Sequence, residues 1–378
     1  MLYHLIDKLD LSFDVPGFGA FDYITTRSAL AAVFALVISL LFGRRIIGWL
    51  ERMQLRETIR TDIGLDSHLS KGSTPTMGGL ILILGMTLPS LLWMDLGNVY
   101  TWMIVLVVVG LGLVGFVDDY IKVVRKNKTG LAGRFKVAGQ VTAGVALGSV
   151  LYWWPEFQAF NTLSTVPFLK NVTIDYAVLG AEWSWLIYIP LVTLVITAVS
   201  NAANLTDGLD GLATGTSAIA GVILGIFAYV SGRVDFSSFL NIMYLPGSGE
   251  LTIFAASMTG ACIGFLWYNT HPASVFMGDT GSLALGGGLG ALAIMIHKEL
   301  LLPTICGVFF VETLSVILQT TYFKYTRWRF GEGRRIFLMA PLHHHYEKQG
   351  LPEPKIVVRF WIVAIMLGIL SLLTLKLR

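Results

Sequence analysis

The sequence predicts an all-α integral membrane protein: a polytopic bundle of about ten transmembrane helices with a polar cleft at its cytoplasmic face. Three observations predict it. The 378-residue chain is 54% hydrophobic and 13% charged, against about 25% charged in ordinary soluble domains, and its mean hydropathy is +0.69. Apolar runs of roughly 17–25 residues, the length a ~30 Å hydrocarbon core requires, lie near 25–43, 76–94, 100–117, 135–153, 184–201, 212–230, 250–268, 281–297, 301–322 and 357–375. Lys and Arg concentrate in alternate connections, which orients the chain. Backbone groups facing lipid must pair within their own segment, so helices are the expected solution. The whole chain, 1–378, reads as a single polytopic membrane domain.

Composition excludes other classes. A net charge of +3 is too small to suggest nucleic acid as a partner. Cys262 and Cys306 lie in apolar runs without metal-ligand spacing and read as packing residues. Leu2, Leu5, Ile6 and Leu9 mark one face of a short interfacial helix, and no cleavable leader is expected.

Orientation follows from the cations. Arg44, Arg45, Arg52, Arg56, Arg60 and Lys71 follow the first span, and Lys122, Arg125, Lys126, Lys128, Arg134 and Lys136 follow the third. The segment 323–359 is richer still, while the intervening connections hold only Lys170, Arg233 and Lys298. The inner face therefore owns the segments 44–75, 118–134, 202–211, 269–280 and 323–356, and an even number of spans puts both termini outside.

Taken in order, the inner segments carry the chemistry. The first ends Lys71-Gly72-Ser73-Thr74-Pro75-Thr76-Met77-Gly78-Gly79. Lys71, Thr74 and Thr76 at a helix start could contact phosphate, although Thr-Pro also opens ordinary helices. The third span ends in Asp118-Asp119-Tyr120 with Lys122 close behind; adjacent acids at a membrane mouth repel unless something positive sits between them. Asn204-Leu205-Thr206-Asp207-Gly208-Leu209-Asp210-Gly211 follows the fifth span. Asp207 and Asp210, three apart, share a helical face, and Asp210 could equally be the N-cap of span 6. Asn269 to Gly281 contains Phe276 and Asp279, and Asp279 reads either as the cap of span 8 or as a functional acid. Gly286 and Gly290 make a close-packing pair for another helix. In span 9, Glu312 reads as a structural hydrogen-bonding group, whereas Gln319, near the inner end, could reach a ligand. The last segment holds His343-His344-His345. Neighbours on a helix point about 100° apart, so three consecutive rings do not share one metal. Phosphate or sugar contact, with one ring as donor or acid, fits better.

Five acids (Asp118, Asp119, Asp207, Asp210 and Asp279) thus fall on one face with Lys71, Lys122, Lys136 and the histidines. They tolerate one another only if a cation neutralises them, and all-oxygen ligands point to Mg²⁺ or Mn²⁺ rather than zinc. A metal flanked by lysines at a membrane mouth suits a pyrophosphate-bearing substrate.

Asp118-Asp119-Tyr120, Asn204 to Gly211, Phe276-Met277-Gly278-Asp279 and Pro341-Leu342-His343-His344-His345 together resemble the signatures of the polyprenyl-phosphate N-acetylhexosamine-1-phosphate transferases. The histidine triplet, with Thr74 to Gly79, narrows the resemblance to the bacterial phospho-N-acetylmuramoyl-pentapeptide transferases. Ser73 stands where that family more often has Gly. The resemblance implies attack by undecaprenyl phosphate on UDP-MurNAc-pentapeptide, release of UMP, and formation of lipid I for peptidoglycan, in the bacterial inner membrane. It implies Mg²⁺ on Asp279, uracil near Gly208, Leu209, Asp210 and Phe276, and further substrate contacts from Lys71, Asn204, Asp207, Asn269, Gln319, His343 and His344. It also implies a homodimer. The catalytic candidates are Asp118, Asp119, Asp279 and His343, with Thr76, Lys122, Lys136 and His345 as further substrate-binding candidates. Two rivals remain: a sister GlcNAc-1-phosphate transferase sharing the acids, and a secondary transporter, which would place its site near the midplane and show repeats that this sequence lacks.

Overall fold

The structure, a computed structural model, describes all residues except 14–15, 54–73, 126, 128–129, 170–171, 181 and 377–378. The helices are α1 (Leu2–Phe13), α2 (Ile24–Arg52), α3 (Gly79–Trp93), α4 (Val99–Val123), α5 (Gly133–Trp153), α6 (Trp185–Thr206), α7 (Leu212–Ser231), α8 (Val234–Leu240), α9 (Glu250–Asn269), α10 (Gly278–Met295), α11 (Leu302–Ile305), α12 (Gly307–Phe330), α13 (Leu342–Lys348) and α14 (Glu353–Leu373). Every apolar run named above except 301–322 falls on one of them. Among the described residues six helices (α2, α4, α6, α7, α9 and α14) are long and apolar enough to cross a membrane. A seventh candidate is broken: Glu299–Ile305 and Gly307–Phe330 meet at 84°. The run at 301–322 therefore does not form one straight helix.

The centre of the bundle is α10, in which every residue from Thr280 to Met295 is buried. Its small residues make that possible. A Cβ on Gly286 would sit 2.6 Å from the Ser200 Cα of α6, so this glycine lets the two backbones touch. On the other side a Cβ on Gly115 of α4 would run into the Asp279 carbonyl. Both contacts draw the first turn of α10 in towards the ends of α4 and α6.

Contacts between helix ends define two poles. At one, Arg27 of α2 meets Glu250 of α9 and the carbonyl of Trp93 at the end of α3. The Met1 amine donates to Leu91 O at 2.7 Å, docking α1 there. A two-stranded antiparallel hairpin, β1 (Leu163–Thr165) with β2 (Thr173–Asp175), lies at the same pole. Thr165 Oγ1 donates to His297 O, and Lys298 Nζ to Thr165 Oγ1. Burial and the nearby Glu299 push the Tyr176 hydroxyl up to about 12, so it stays protonated and donates to that carboxylate. The opposite pole gathers the last turns of α4, α6 and α9 and the first turns of α5, α10 and α14. It is the pole that holds Asp118.

Candidate active site

The sequence puts Asp118 and Asp119 after an apolar run; the fold puts them inside the last two turns of α4, both buried. Their roles separate there. Asp119 turns to the start of α10 and accepts from Asp279 N (3.2 Å), Thr280 N (2.9 Å) and Thr280 Oγ1 (2.6 Å). It caps α10 from a neighbouring helix, at the end where the helix dipole favours negative charge. Asp279 is thereby relieved of the capping role.

Asp279 turns instead into a charged cluster. Its Oδ1 accepts from Asn204 Nδ2 at 2.8 Å, and Asn204 also donates to Ser282 Oγ at 2.9 Å. Its Oδ2 is bridged by Lys122, at 3.2 Å, and by Lys136. The same two ammonium groups hold Asp118 Oδ2: Lys136 at 2.9 Å, and Lys122 from one turn further along α4. Asp118 Oδ1 accepts the Leu131 N–H at 2.7 Å, which folds the segment after α4 back over the cluster. Asp118, Asp119 and Asp279 each offer an oxygen within 4.8 Å of the others. Three carboxylates gather here and two of them share the two lysines, so negative charge remains. The donors are all oxygen, with no thiol or imidazole among them, and that set fits a hard divalent cation such as Mg²⁺.

The other loops at this pole close around the cluster. The Pro75 carbonyl accepts from Phe276 N, and the carbonyls of Phe276 and Met277 accept from Gly78 N and Gly79 N, so residues 75–79 run beside the start of α10. Thr76 is buried there and Phe276 half-buried. Lys71, the expected phosphate contact, lies outside the described residues. Asp207 ends α6, half-buried. Asp210 is not the cap of α7, whose N-cap is Gly211 without a side-chain bond. Its carboxylate accepts from Ala273 N at 3.1 Å and lies 3.1 Å from His271 Nδ1. Leu209 is buried against Leu212, Ile356 and Val357. Asn269 makes three hydrogen bonds: Oδ1 accepts from Gly211 N and Thr214 Oγ1, and Nδ2 donates to Val275 O.

The histidines diverge, as consecutive helical positions require. His343 is buried against Gly208, where a Cβ would collide with its Nε2. His344 Nδ1 pairs with Glu347 at 2.6 Å. His345 Nδ1 accepts from Leu338 N at 3.1 Å, and its Nε2 faces Gln349. Gln319 does not face the cluster: Oε1 accepts from Ile336 N and Phe337 N while Nε2 donates to Phe337 O, tying down the segment after α12.

The family model for glycosyl transferase family 4 matches residues 101–297, which span both aspartate pairs, Lys122, Lys136, Asn204 and Asp279. Similarity to curated proteins extends over the full length. The chain is 54% identical to the phospho-N-acetylmuramoyl-pentapeptide-transferase of Salinibacter ruber and 52% identical to those of Flavobacterium psychrophilum and Chloroherpeton thalassium, covering 100% of both partners each time. The chain belongs to the phospho-N-acetylmuramoyl-pentapeptide-transferase family.

In this member of the phospho-N-acetylmuramoyl-pentapeptide-transferase family three further polar groups stand out, of which the sequence singles out Glu312 but not Glu353 or Gln140. Glu353 of α14 accepts the Asp210 N–H at 2.6 Å and lies 3.4 Å from His271. Glu312 accepts the Leu342 and His343 N–H groups, which bears out its reading as a structural hydrogen-bonding group. Gln140 of α5 donates to Ser200 Oγ at 3.0 Å and accepts from Asn201 at 3.1 Å. Each is a polar residue in or beside an apolar helix, and that is the signal that finds them.

Proposed function

We propose that this chain transfers phospho-N-acetylmuramoyl-pentapeptide from UDP-MurNAc-pentapeptide to undecaprenyl phosphate, giving lipid I and UMP in peptidoglycan synthesis. The observation that carries the reading is the meeting of Asp118, Asp119 and Asp279 with Lys122 and Lys136 at one pole. An oxygen of the lipid phosphate attacks the sugar-bearing phosphorus, the anhydride bond to the uridylyl phosphate breaks, and its electron pair leaves with UMP. One phosphoanhydride replaces another, so the reaction runs close to reversibly. Asp279, with Asp118 beside it, would hold Mg²⁺, which takes up charge developing on the leaving phosphate. Lys122 and Lys136 sit on the same oxygens and can turn to the pyrophosphate as the carboxylates turn to the cation. Asn204 orients Asp279, and Asp119 acts through the α10 cap rather than on substrate.

The turn Gly208–Asp210 with Phe276 holds uracil; Lys71, Thr76, Asp207, Asn269, Gln319, His344 and His345 complete or support the substrate site. The pole is cytoplasmic, ten spans leave both termini outside, and the chain works as a homodimer in the bacterial inner membrane. The segments 44–75, 118–134, 202–211, 269–280 and 323–356 of the one membrane domain build the site. A phosphate monoester with a second pKa of about 6 is mostly dianionic at pH 7, so a base adds little. Asp118→Asn is therefore expected to lose rate at every pH, and recovery of activity at alkaline pH would assign Asp118 the base role. The deciding experiment is UMP release by the purified chain with undecaprenyl phosphate and, in turn, UDP-MurNAc-pentapeptide and UDP-GlcNAc, with and without a chelator. Release only with the first, and only with divalent metal, is the expected result. Release with the second would assign the sister activity, and no release with either would overturn the reading.

A further inference from the structure

Glu312 lies in the first half of α12 and is 0% exposed. A carboxylate buried that deep in a membrane helix needs a partner, and among the described residues its partners all come from the histidine segment. Its oxygens accept Leu342 N–H at 2.7 Å and His343 N–H at 3.2 Å, the first two donors of α13, whose Pro341 N-cap supplies no side-chain bond. His343 Nδ1 lies 3.2 Å from the same carboxylate. The ring is itself fully buried, neither of its nitrogens makes a hydrogen bond among the described residues, the approach of Nδ1 to Glu312 being a charge contact, and Nε2 presses on Gly208. The contacts form a line: Glu312, then His343, then the turn that the proposed function gives to the nucleotide.

We infer that Glu312 is a positioning residue: it sets the orientation of the His343 ring against the Gly208 turn and so shapes the nucleotide side of the site. A carboxylate beside Nδ1 favours the tautomer with its proton there and leaves Nε2 as the nitrogen facing the turn. The two backbone bonds fix where α13 begins, hence where the ring stands. Glu312 touches no reacting atom. The inference rests on the proposed transfer, and its test separates the two.

The full-length protein is assayed for kcat and for the KM of each substrate, and for UMP binding, in the wild type, E312A, E312Q, H343A and the double variants. E312A is expected to raise the KM for UDP-MurNAc-pentapeptide and to weaken UMP binding by about 10–100-fold, the scale on which groups supporting a site residue act. The KM for undecaprenyl phosphate should hold within about twofold. E312Q, which keeps one acceptor oxygen, should fall between E312A and wild type. E312A/H343A should be no worse than H343A, because residues acting through one another are not additive. Unchanged nucleotide KM in folded E312A, or losses that multiply in the double variant, would overturn the inference. Where E312A does not fold, the same cycle run with E312Q decides. A wild type that releases no UMP would instead refute the proposed transfer.

Discussion

The two poles of this bundle both bury ion pairs between helices distant in the chain, and they do it in opposite ways. At one pole Arg27 and Glu250 match one to one: Arg27 reaches both carboxylate oxygens, at 2.8 and 3.0 Å, and the Trp93 carbonyl, while the carboxylate also takes the Asp95 N–H at 2.8 Å. Charge cancels and three segments are pinned. At the other pole Asp118, Asp119 and Asp279 outnumber Lys122 and Lys136, and two carboxylates share the same two ammonium groups. A cancelled pair holds helices together. An unequal cluster can exchange partners with a cation and an anionic substrate, which a lock cannot do.

The contrast breaks most sharply at Asp279. Asp279→Asn keeps the shape, removes one of three crowded negative charges, and is expected to cut kcat/KM by at least about 10³-fold, the scale of losing a main electrostatic group in a site. Thermal stability should fall less than in Arg27→Met, because Lys122 and Lys136 lose Asp279 Oδ2 but keep Asp118. A fall in stability as large as that of Arg27→Met with modest loss of turnover would make this pole a lock as well.

Arg27→Met gives the reverse pattern. It strands Glu250 in a buried site and should cost about 3–5 kcal/mol of stability, read by thermal or denaturant unfolding in detergent. Turnover per folded molecule should stay near wild type. Arg27→Met with Glu250→Leu should regain most of the loss, since an apolar pair of similar volume often replaces a buried ion pair without penalty.

A smaller effect sharpens the division inside the cluster. Asp119 caps α10 and does not meet the lysines directly, so Asp119→Asn should raise the Mg²⁺ concentration for half-maximal rate by about 10–100-fold, as loss of a supporting group does. Saturating Mg²⁺ should restore most of the rate. A loss that no Mg²⁺ concentration repairs would place Asp119 on the substrate instead.

Much of this is legible in the sequence. The apolar runs found the helices, and the Lys and Arg bias put Asp118, Asp207, Asp210 and Asp279 at one pole. What was hidden depends on which side chain meets which. Asp279 looks like the cap of its own helix, and only the approach of α4, allowed by Gly115, gives that task to Asp119. The bend before Gly307 comes three residues after Pro303, which opens the short helix α11 and by itself does not announce a break at its far end. The hairpin Leu163–Thr165 with Thr173–Asp175 is too short to show against spans of twenty apolar residues. Gln319 is polar and near the inner end, yet its amide answers to the backbone at 336–337.

Between the poles lies a group whose removal should do a little of both. Gln140 is fully buried one turn along α5 from Lys136, and its partners Ser200 and Asn201 lie one turn before Asn204 on α6. This bond pair sets the register of two helices that each bring one donor to Asp279. Gln140→Leu loses those bonds, but Ser200 Oγ keeps Ile196 O and Asn201 Nδ2 keeps Thr197 O, so no partner is left wholly unpaired. The expected cost is about 1 kcal/mol of stability. Turnover should fall only a few-fold, because Gly286 still holds α6 against α10. Normal turnover would mean that the close backbone contact alone places Asn204. A loss as deep as that of Asp279→Asn would mean that the cluster tolerates no slip between α5 and α6, and that its unequal charges work only at this one spacing.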